Sequence, residues 1–447
     1  MIERPSLFLV LLLTLAAAEP ASAQQEPEDR STGLPAAMNW TFTFEAGFGS
    51  FSFLNSLFTN PRDEPSGDLG DNWLEGYIKP SLAAVFRLGN GSAIAGTASA
   101  VGERTYGGAP ALVGEDVSSF APDDLSVSWR SGTLFERLGA DVLEFTAGRA
   151  PYQLGQGFLL YDGAGEGGSR GGYWSNARKA FEFASIARFK PGRHTAEVFY
   201  LDKDELPESE TGSRLWGTNY ELRIAGESTI GVTYMRWYAD AESAPERDGL
   251  DVFNARASVA PIPAHRALTM EMEYAREANA GVLTSHAWSV RGAYEIANVT
   301  WTPAISYRYA FFQGDDPATL VRESFDPLFP GFSDWGTWWQ GEIAGEYFLS
   351  NSNLKSHQIR VHTVPSDSVE TGVIFYRFLA DQPASYGAGV TSSDLAFEVD
   401  VYADWTLNHN FTISMVGGFA NPGAAVRQAT ARTANFGLGM LYVAYRF

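Results

Sequence analysis

The sequence predicts an all-β protein, a transmembrane antiparallel β-barrel of the bacterial outer membrane. Three features point there: an export signal at the start, period-2 alternation through the middle, and a last strand ending on an aromatic residue. The first feature lies in residues 1–23. Met1 to Pro5 is short and polar, Leu7 to Ala18 is apolar, and Ala21-Ser22-Ala23 supplies a small-x-small cleavage site. That is the layout of a secretory signal peptide, with cleavage expected after Ala23. Gln24 to Met38 (QQEPEDRSTGLPAAM) carries two prolines and no periodicity, and reads as a flexible periplasmic leader. The barrel is expected over 39–447.

The remaining chain holds no run of about 20 apolar residues, which excludes helical membrane spans. Yet 14% of the residues are aromatic, with 30 Phe, 19 Tyr and 12 Trp. Aromatic abundance without a long apolar run suits a barrel, because lipid-facing and lumen-facing residues alternate and dilute each other. Cysteine is absent; a closed barrel satisfies its own backbone and needs no disulfide staple.

The second feature is clearest late in the chain. Leu395, Phe397, Val399, Val401, Ala403 and Trp405 share one face, opposite Ala396, Glu398, Asp400, Tyr402 and Asp404. Trp301, Ile305, Tyr307 and Tyr309 oppose Thr302, Ala304, Ser306 and Arg308, and Leu268, Met270, Met272 and Tyr274 oppose Thr269, Glu271 and Glu273. Apolar faces that end in Trp or Tyr fit an aromatic girdle at the membrane interface. The third feature is the alternation Leu441, Val443, Tyr445, Phe447. A terminal aromatic in the lipid-facing register resembles the assembly signal of outer-membrane barrels.

Cutting the alternation at Gly, Asn, Asp, Pro and Ser clusters yields one candidate strand more than 18, and a single-chain barrel with both ends in the periplasm needs an even number. Short turns near Gly226, Pro263 and Ala297 alternate with longer loops from 202 to 312, and the same rhythm holds backward from the last hairpin to Pro365. The two halves disagree between 337 and 365. The expectation is 18 strands, with 16 as the alternative, enclosing an aqueous channel unless loops fill it.

Net charge is −21, which reads as acidic loops or a cation-attracting mouth and argues against nucleic acid as a partner. If the apolar register faces lipid, the inward face carries Arg188, Arg223, Arg291, Arg308, Arg360 and Arg377 among a larger number of acids, including Glu398 and Asp400. Such a wall serves either as mutually paired charges that stiffen the barrel or as a selectivity ladder.

Several segments carry a family resemblance: LEFTAGRAPYQLGQGFLLYDG (143–163), YWSNARKAF (173–181), SYRYAFFQGDD (306–316), ESFDPLFPGF (323–332), LAFEVDVYADW (395–405) and GGFANPGAA (417–425). In order and spacing they resemble the alginate-export family of outer-membrane proteins. The resemblance implies an 18-stranded monomeric barrel that releases an anionic polysaccharide through a positively lined constriction. By matching motif, Arg149 and Arg178 carry over, and Arg308 sits in the matching strand. Arg188, Arg223, Arg291, Arg360 and Arg377 join them from strand register, with Glu398 and Asp400 on the same path. Arg149 shares parity with Leu143 and Phe145, so it faces inward only past a bulge or at the strand end.

Rival classes are an outer-membrane enzyme and a receptor or structural barrel plugged by its own loops, for example 313–336. The six histidines (His194, His265, His286, His357, His362 and His409) lie in no nucleophile motif, and His357 and His362 fall on opposite faces. No catalytic residue is assigned. Acidic stretches at Asp63, Glu64, Asp68 and Asp71, or at Asp315 and Asp316, have calcium-type ligands but no recognised loop spacing, so no metal and no cofactor is expected. The expected partners are the lipid bilayer and its lipopolysaccharide, the barrel-assembly machinery through the C-terminal strand, and periplasmic export components.

Overall fold

A computed structural model describes residues 38–58, 72–108, 116–161, 163–224, 228–262, 267–296, 299–331 and 340–447. The expected signal peptide, the expected leader before Met38, the acids Asp63 to Asp71, and Gly226, Pro263, His265 and Ala297 lie outside these residues. Met38 itself is already a strand residue, paired with Phe86.

Eighteen antiparallel strands form one sheet that closes on itself. In chain order they are β1 (Met38–Leu54), β2 (Asn72–Arg87), β3 (Ala93–Gly107), β4 (Asp116–Arg130), β5 (Leu143–Ala150), β6 (Phe181–Phe189), β7 (His194–Asp202), β8 (Arg214–Arg223) and β9 (Thr229–Tyr238). The second half is β10 (Asp251–Val259), β11 (Leu268–Asn279), β12 (Leu283–Glu295), β13 (Ala304–Phe312), β14 (Leu354–Ser366), β15 (Val369–Ala380), β16 (Asp394–Asn408), β17 (Phe411–Pro422) and β18 (Phe436–Arg446). Each strand pairs with its neighbours in sequence, and β1 pairs with β18, from Glu45 opposite Arg446 to Leu54 opposite Gly437. Closure leaves no free edge to be satisfied in lipid.

The alternation read from the sequence is the alternation of the wall. Along β16, Phe397, Val401 and Trp405 are exposed on the outside while Glu398, Asp400 and Tyr402 are buried on the inside. Phe120, Leu125, Val127, Val198 and Val232 likewise stand on the outer surface. On a soluble protein this contiguous apolar band would be a liability; on a barrel it is the surface that meets acyl chains.

Of the surplus candidate strand, 337–350, the described residues 340–350 form no strand. Among the described residues, 341–347 form a short, wide helical turn inside the barrel, with Gly341 at a positive φ. Gln340 to Glu346 are buried there, and Tyr347 packs against Phe53 and Phe436 of the wall. The stretch QGEIAGEYFL looks strand-like because it is apolar and aromatic, but its partners are side chains of the lumen, so no ladder hydrogen bonds are needed. Removing it leaves 18 strands and restores the alternation of short and long connections. Trp301 also sits outside its expected strand: β13 begins at Ala304, and Trp301 and Thr302 occupy a turn at positive φ.

Candidate functional site: the lumen and its inserted loops

Two connections fold inward. The first, 151–180, follows the bulged end of β5. Gly148 takes φ +123°, and the β5–β6 register shifts between Gly148 and Ala150. This irregularity turns Arg149 inward despite its outward parity: its guanidinium pairs with Asp204 and donates to the Asp123 carbonyl oxygen. Beyond it, Tyr152 packs on Phe199 at 4.6 Å, and Phe158, Leu159 and Leu160 are completely buried. Burying three such side chains contributes on the order of 1.5–3 kcal/mol each, which anchors the loop within a channel that would otherwise be water. Leu160 also bridges to Phe329, so the two inserted connections hold each other.

The Leu-Gly-x-Gly turn has a definite role. Gly155 adopts φ +56°, and a Cβ there would stand 2.8 Å from Cδ of Arg256. The turn therefore rests directly on an arginine of β10. Arg256 was not among the residues singled out from the sequence, although Asn254, Arg256 and Ser258 make a polar row opposite Phe253, Ala255 and Ala257. The small alanines blurred that alternation. Arg256 donates to Glu221, Asn219 (2.6 Å), Thr233 (2.9 Å) and Asn254 (3.1 Å).

Arg178, at the far end of the first loop, is buried between Glu103 (2.8 Å) and Glu166 (3.1 Å). Burial, together with nearby Glu103, holds the Glu166 carboxyl well above its ordinary range. Arg178 thus fastens the loop to β3 and is covered from the solute path. Glu75 works alongside it, accepting the Trp174 N–H at 3.0 Å, while the Trp174 ring packs on Tyr442 at 4.7 Å.

The second inserted connection supplies the helical turn at 341–347. Glu398 accepts the N–H groups of Ile343 at 2.9 Å and Ala344 at 2.7 Å, and Asp400 accepts that of Glu342 at 3.3 Å. Both acids point inward as their parity requires, yet neither is exposed at all. They form a cradle for the inserted turn. Burial raises the Glu342 carboxyl to about 8, and the Trp174 indole N–H reaches it at 3.4 Å.

The remaining arginines divide. Arg188 bonds Glu197 at 2.5 Å, and Arg291 bonds Glu271 at 3.2 Å. Arg291 stands opposite Arg308 on the next strand, and Arg308 opposite Gln358, so one inward row runs Glu271, Arg291, Arg308, Gln358, Tyr376, Glu398 across β11 to β16. Arg360 lies one step further toward the periplasm and donates to the Tyr402 hydroxyl at 2.6 Å. Arg223 shares the parity of Asn219 and Glu221 and is exposed at the periplasmic end of β8. Arg377 departs from expectation. It shares the parity of Val373 and Phe375, while Ile374, Tyr376 and Phe378 are the buried row. Arg377 therefore projects from the outer surface and pairs with Asp394 at 2.8 Å. The run Val373 to Leu379 is apolar on both parities apart from this arginine, which removed the cue that would have set its face.

Arg256 and Arg291, with Glu221, Glu271 and Glu273, line a cavity of about 270 Å³ beneath Gly155 and Gln156. Open lumen, walled by alternating guanidinium and carboxylate groups, thus persists beside the inserted loops. His362 faces this interior through Tyr402, whereas His357 faces outward through Tyr307 and Tyr309. Among the described residues no group of His, Asp and Glu is arranged to hold a metal.

A closed 18-stranded wall, an apolar exterior and a charged interior narrowed by inward loops define an outer-membrane channel. The family model for alginate export matches residues 174–439, and the chain belongs to that family. Solved structures with the same fold include OccK5 (OpdH) of Pseudomonas aeruginosa (TM-score 0.55, 11% identity, covering 92% of this chain and 98% of that one). OpdK of the same organism gives TM-score 0.57, 10% identity and coverage of 91% and 98%. OccAB4 of Acinetobacter baumannii gives 0.51, 12%, and 92% and 98%. No curated protein sequence matches the chain.

Proposed function

We propose that this channel passes a hydrophilic anionic solute, of which an acidic polysaccharide such as alginate is the fullest example, by passive diffusion past the inserted loops. The carrying observation is the inward arginine series Arg188, Arg223, Arg256, Arg291, Arg308 and Arg360, spread over β6, β8, β10, β12, β13 and β14. A guanidinium stays charged and presents five donors, so one that is already paired with a wall acid still offers N–H groups to a passing carboxylate. The interleaved acids keep each contact weak, which a diffusing solute requires in order to leave again. A polyuronate, carrying a carboxylate on each sugar, can exchange one such contact for the next.

In this reading Arg149, Arg178, Glu398 and Asp400 shape the path by fixing the loops, Arg308 is buried within the wall, and the exposed members of the series meet the solute. The barrel works as a monomer that receives its cargo from periplasmic export components and is inserted by the assembly machinery through β18. The test is the reversal potential of purified channels in a planar bilayer under a salt gradient. Arg291→Glu and Arg188→Glu, at side chains that keep exposure within the lumen, should each move selectivity toward cations and slow the release of oligouronates from loaded liposomes. Unchanged selectivity in both variants, with folded barrels, would sink the arginine path. Hydrolysis of lipid or peptide by a non-conducting barrel would favour an enzyme instead.

A further inference from the structure

At the extracellular end of the outer wall, charged residues follow a simple rule with one exception. Arg104 of β3 pairs with Asp116 of β4 through two bonds of 2.8 and 2.6 Å. Arg236 of β9 pairs with Asp251 of β10 at 2.6 Å, and Arg214 of β8 stands opposite Asp202 of β7. Each outward base meets an outward acid on the neighbouring strand, so those rims are close to neutral.

Across β11 to β15 the outward bases outnumber the acids they meet. The outward positions near the same end are Arg276 on β11, His286 on β12, Lys355 and His357 on β14, and Arg377 on β15. Among the described residues no strand acid projects outward between them. Arg276 stands opposite His286, and His357 opposite Arg377. The His286 ring lies 5.3 Å from that of Phe311, and Lys355 Nζ lies 5.8 Å from the Phe311 centroid, so aromatic faces link the basic groups into one patch. Two acids offset part of it: Asp381, just past β15, contacts Lys355, and Asp394, the first residue of β16, contacts Arg377, both at 2.8 Å. Arg276 is exposed and makes no side-chain hydrogen bond or ion pair among the described residues. Below the patch, Met272, Tyr274, Tyr307 and Ile359 continue the apolar band.

A cationic row directly above an apolar wall, at the outer-leaflet end of a barrel, matches one chemistry: a lipid whose phosphates sit at the headgroup level and whose chains lie along the wall below. We infer that the outer face of β11 to β15 is a binding site for the phosphorylated glycolipid of the outer leaflet. Its phosphates are held by Arg276, Lys355 and Arg377 and its acyl chains lie on the Met272–Ile359 surface. Charge-assisted contacts to phosphate are the strong kind, and Arg and Lys both serve them. Asp381 and Asp394 offset Lys355 and Arg377 and hold them at the rim, and Arg276 leaves the row with a net positive charge.

The experiment uses the full barrel in nanodiscs of neutral lipid doped with lipid A, followed by native mass spectrometry of the lipid that stays bound. The wild type should retain lipid A at least ~10-fold better than the fully dephosphorylated form. The triple variant Arg276→Gln, Lys355→Gln, Arg377→Gln should lose that preference, whereas Arg104→Gln with Arg236→Gln should keep it. Heat-modifiable migration on gels reports that each variant is folded. Equal retention of phosphorylated and dephosphorylated lipid by the wild type overturns the inference whatever the variants do. So does an undiminished preference in the folded triple variant.

Discussion

Replacing Glu398 by alanine should release the inserted turn from the wall. The Glu398 carboxylate accepts the Ile343 and Ala344 N–H groups at 2.9 and 2.7 Å, in a region where Glu398, Ile343 and Ala344 are all fully covered. A buried donor left without an acceptor costs about 1–3 kcal/mol, so the alanine variant loses about 2–6 kcal/mol of local anchoring. Glutamine keeps one carbonyl acceptor and should lose about half of that. The assay is hydrogen–deuterium exchange on the folded barrel, read over 340–349 with β16 and β17 as internal references. A loss of about 2 kcal/mol corresponds to exchange roughly 30-fold faster in that segment, with the wall strands unchanged. Single-channel conductance should rise in parallel, with Ala above Gln above wild type. Protection that stays at the wild-type level in the alanine variant would refute the cradle. It would assign the anchoring to Tyr347 and Phe348, which pack on Phe53, Phe58 and Phe436.

Three further outcomes follow from the same geometry. Because burial raises Glu342 to about 8, the folded form keeps its proton at pH values where an unfolded Glu has lost it. The contribution to local stability is therefore complete below about 4.5, the ordinary Glu range, and declines as pH climbs toward 8. Exchange over 340–349 should accelerate across that window in the wild type and less steeply in Glu342→Gln, where Glu346, also raised by burial, still titrates. Arg178→Ala leaves the buried Glu103 and Glu166 side chains without the guanidinium they share and should cost about 3–5 kcal/mol, seen as a lower midpoint in thermal unfolding. Arg178→Lys should recover only part of it, since one ammonium cannot reproduce the two-sided fork. Gly155→Ala places a Cβ at φ +56° and against Arg256, costing about 1–2 kcal/mol from the left-handed backbone; reversal potentials should move as well, because Arg256 must shift.

The wall was legible in the sequence because two-fold alternation is a property of each strand alone. Leu395 to Trp405 and Leu441 to Phe447 declare their faces without reference to any partner. What the alternation could not show is anything that depends on the lumen as an enclosed space. Residues 341–347 mimic a strand because a plug segment is as apolar as a wall segment, and only the parity of the strand count exposed the conflict. Arg149 carried its warning in its own parity, and the bulge at Gly148 resolves it. Arg377 gave no warning, since both faces of its strand are apolar. Glu398 and Asp400 were correctly oriented, but nothing local indicates that a distant segment lies over them.

The seam between β1 and β18 has a bearing on how the barrel comes into being. Seventeen of its pairings join strands adjacent in sequence, whereas this one brings together residues such as Ala46 and Tyr445. Closing a loop on the order of 400 residues long carries an entropy penalty of about 5 kcal/mol by the logarithmic law. The longest connection between adjacent strands, from β13 to β14, carries about 3 kcal/mol by the same law, and the short turns carry less. Until that last zippering step, β1 and β18 each present an open row of N–H and C=O groups, the kind of edge that recruits a foreign strand. Assembly of this barrel is thus a search problem with one slow solution and two sticky ends, and both edges stay open to other strands until β1 and β18 meet.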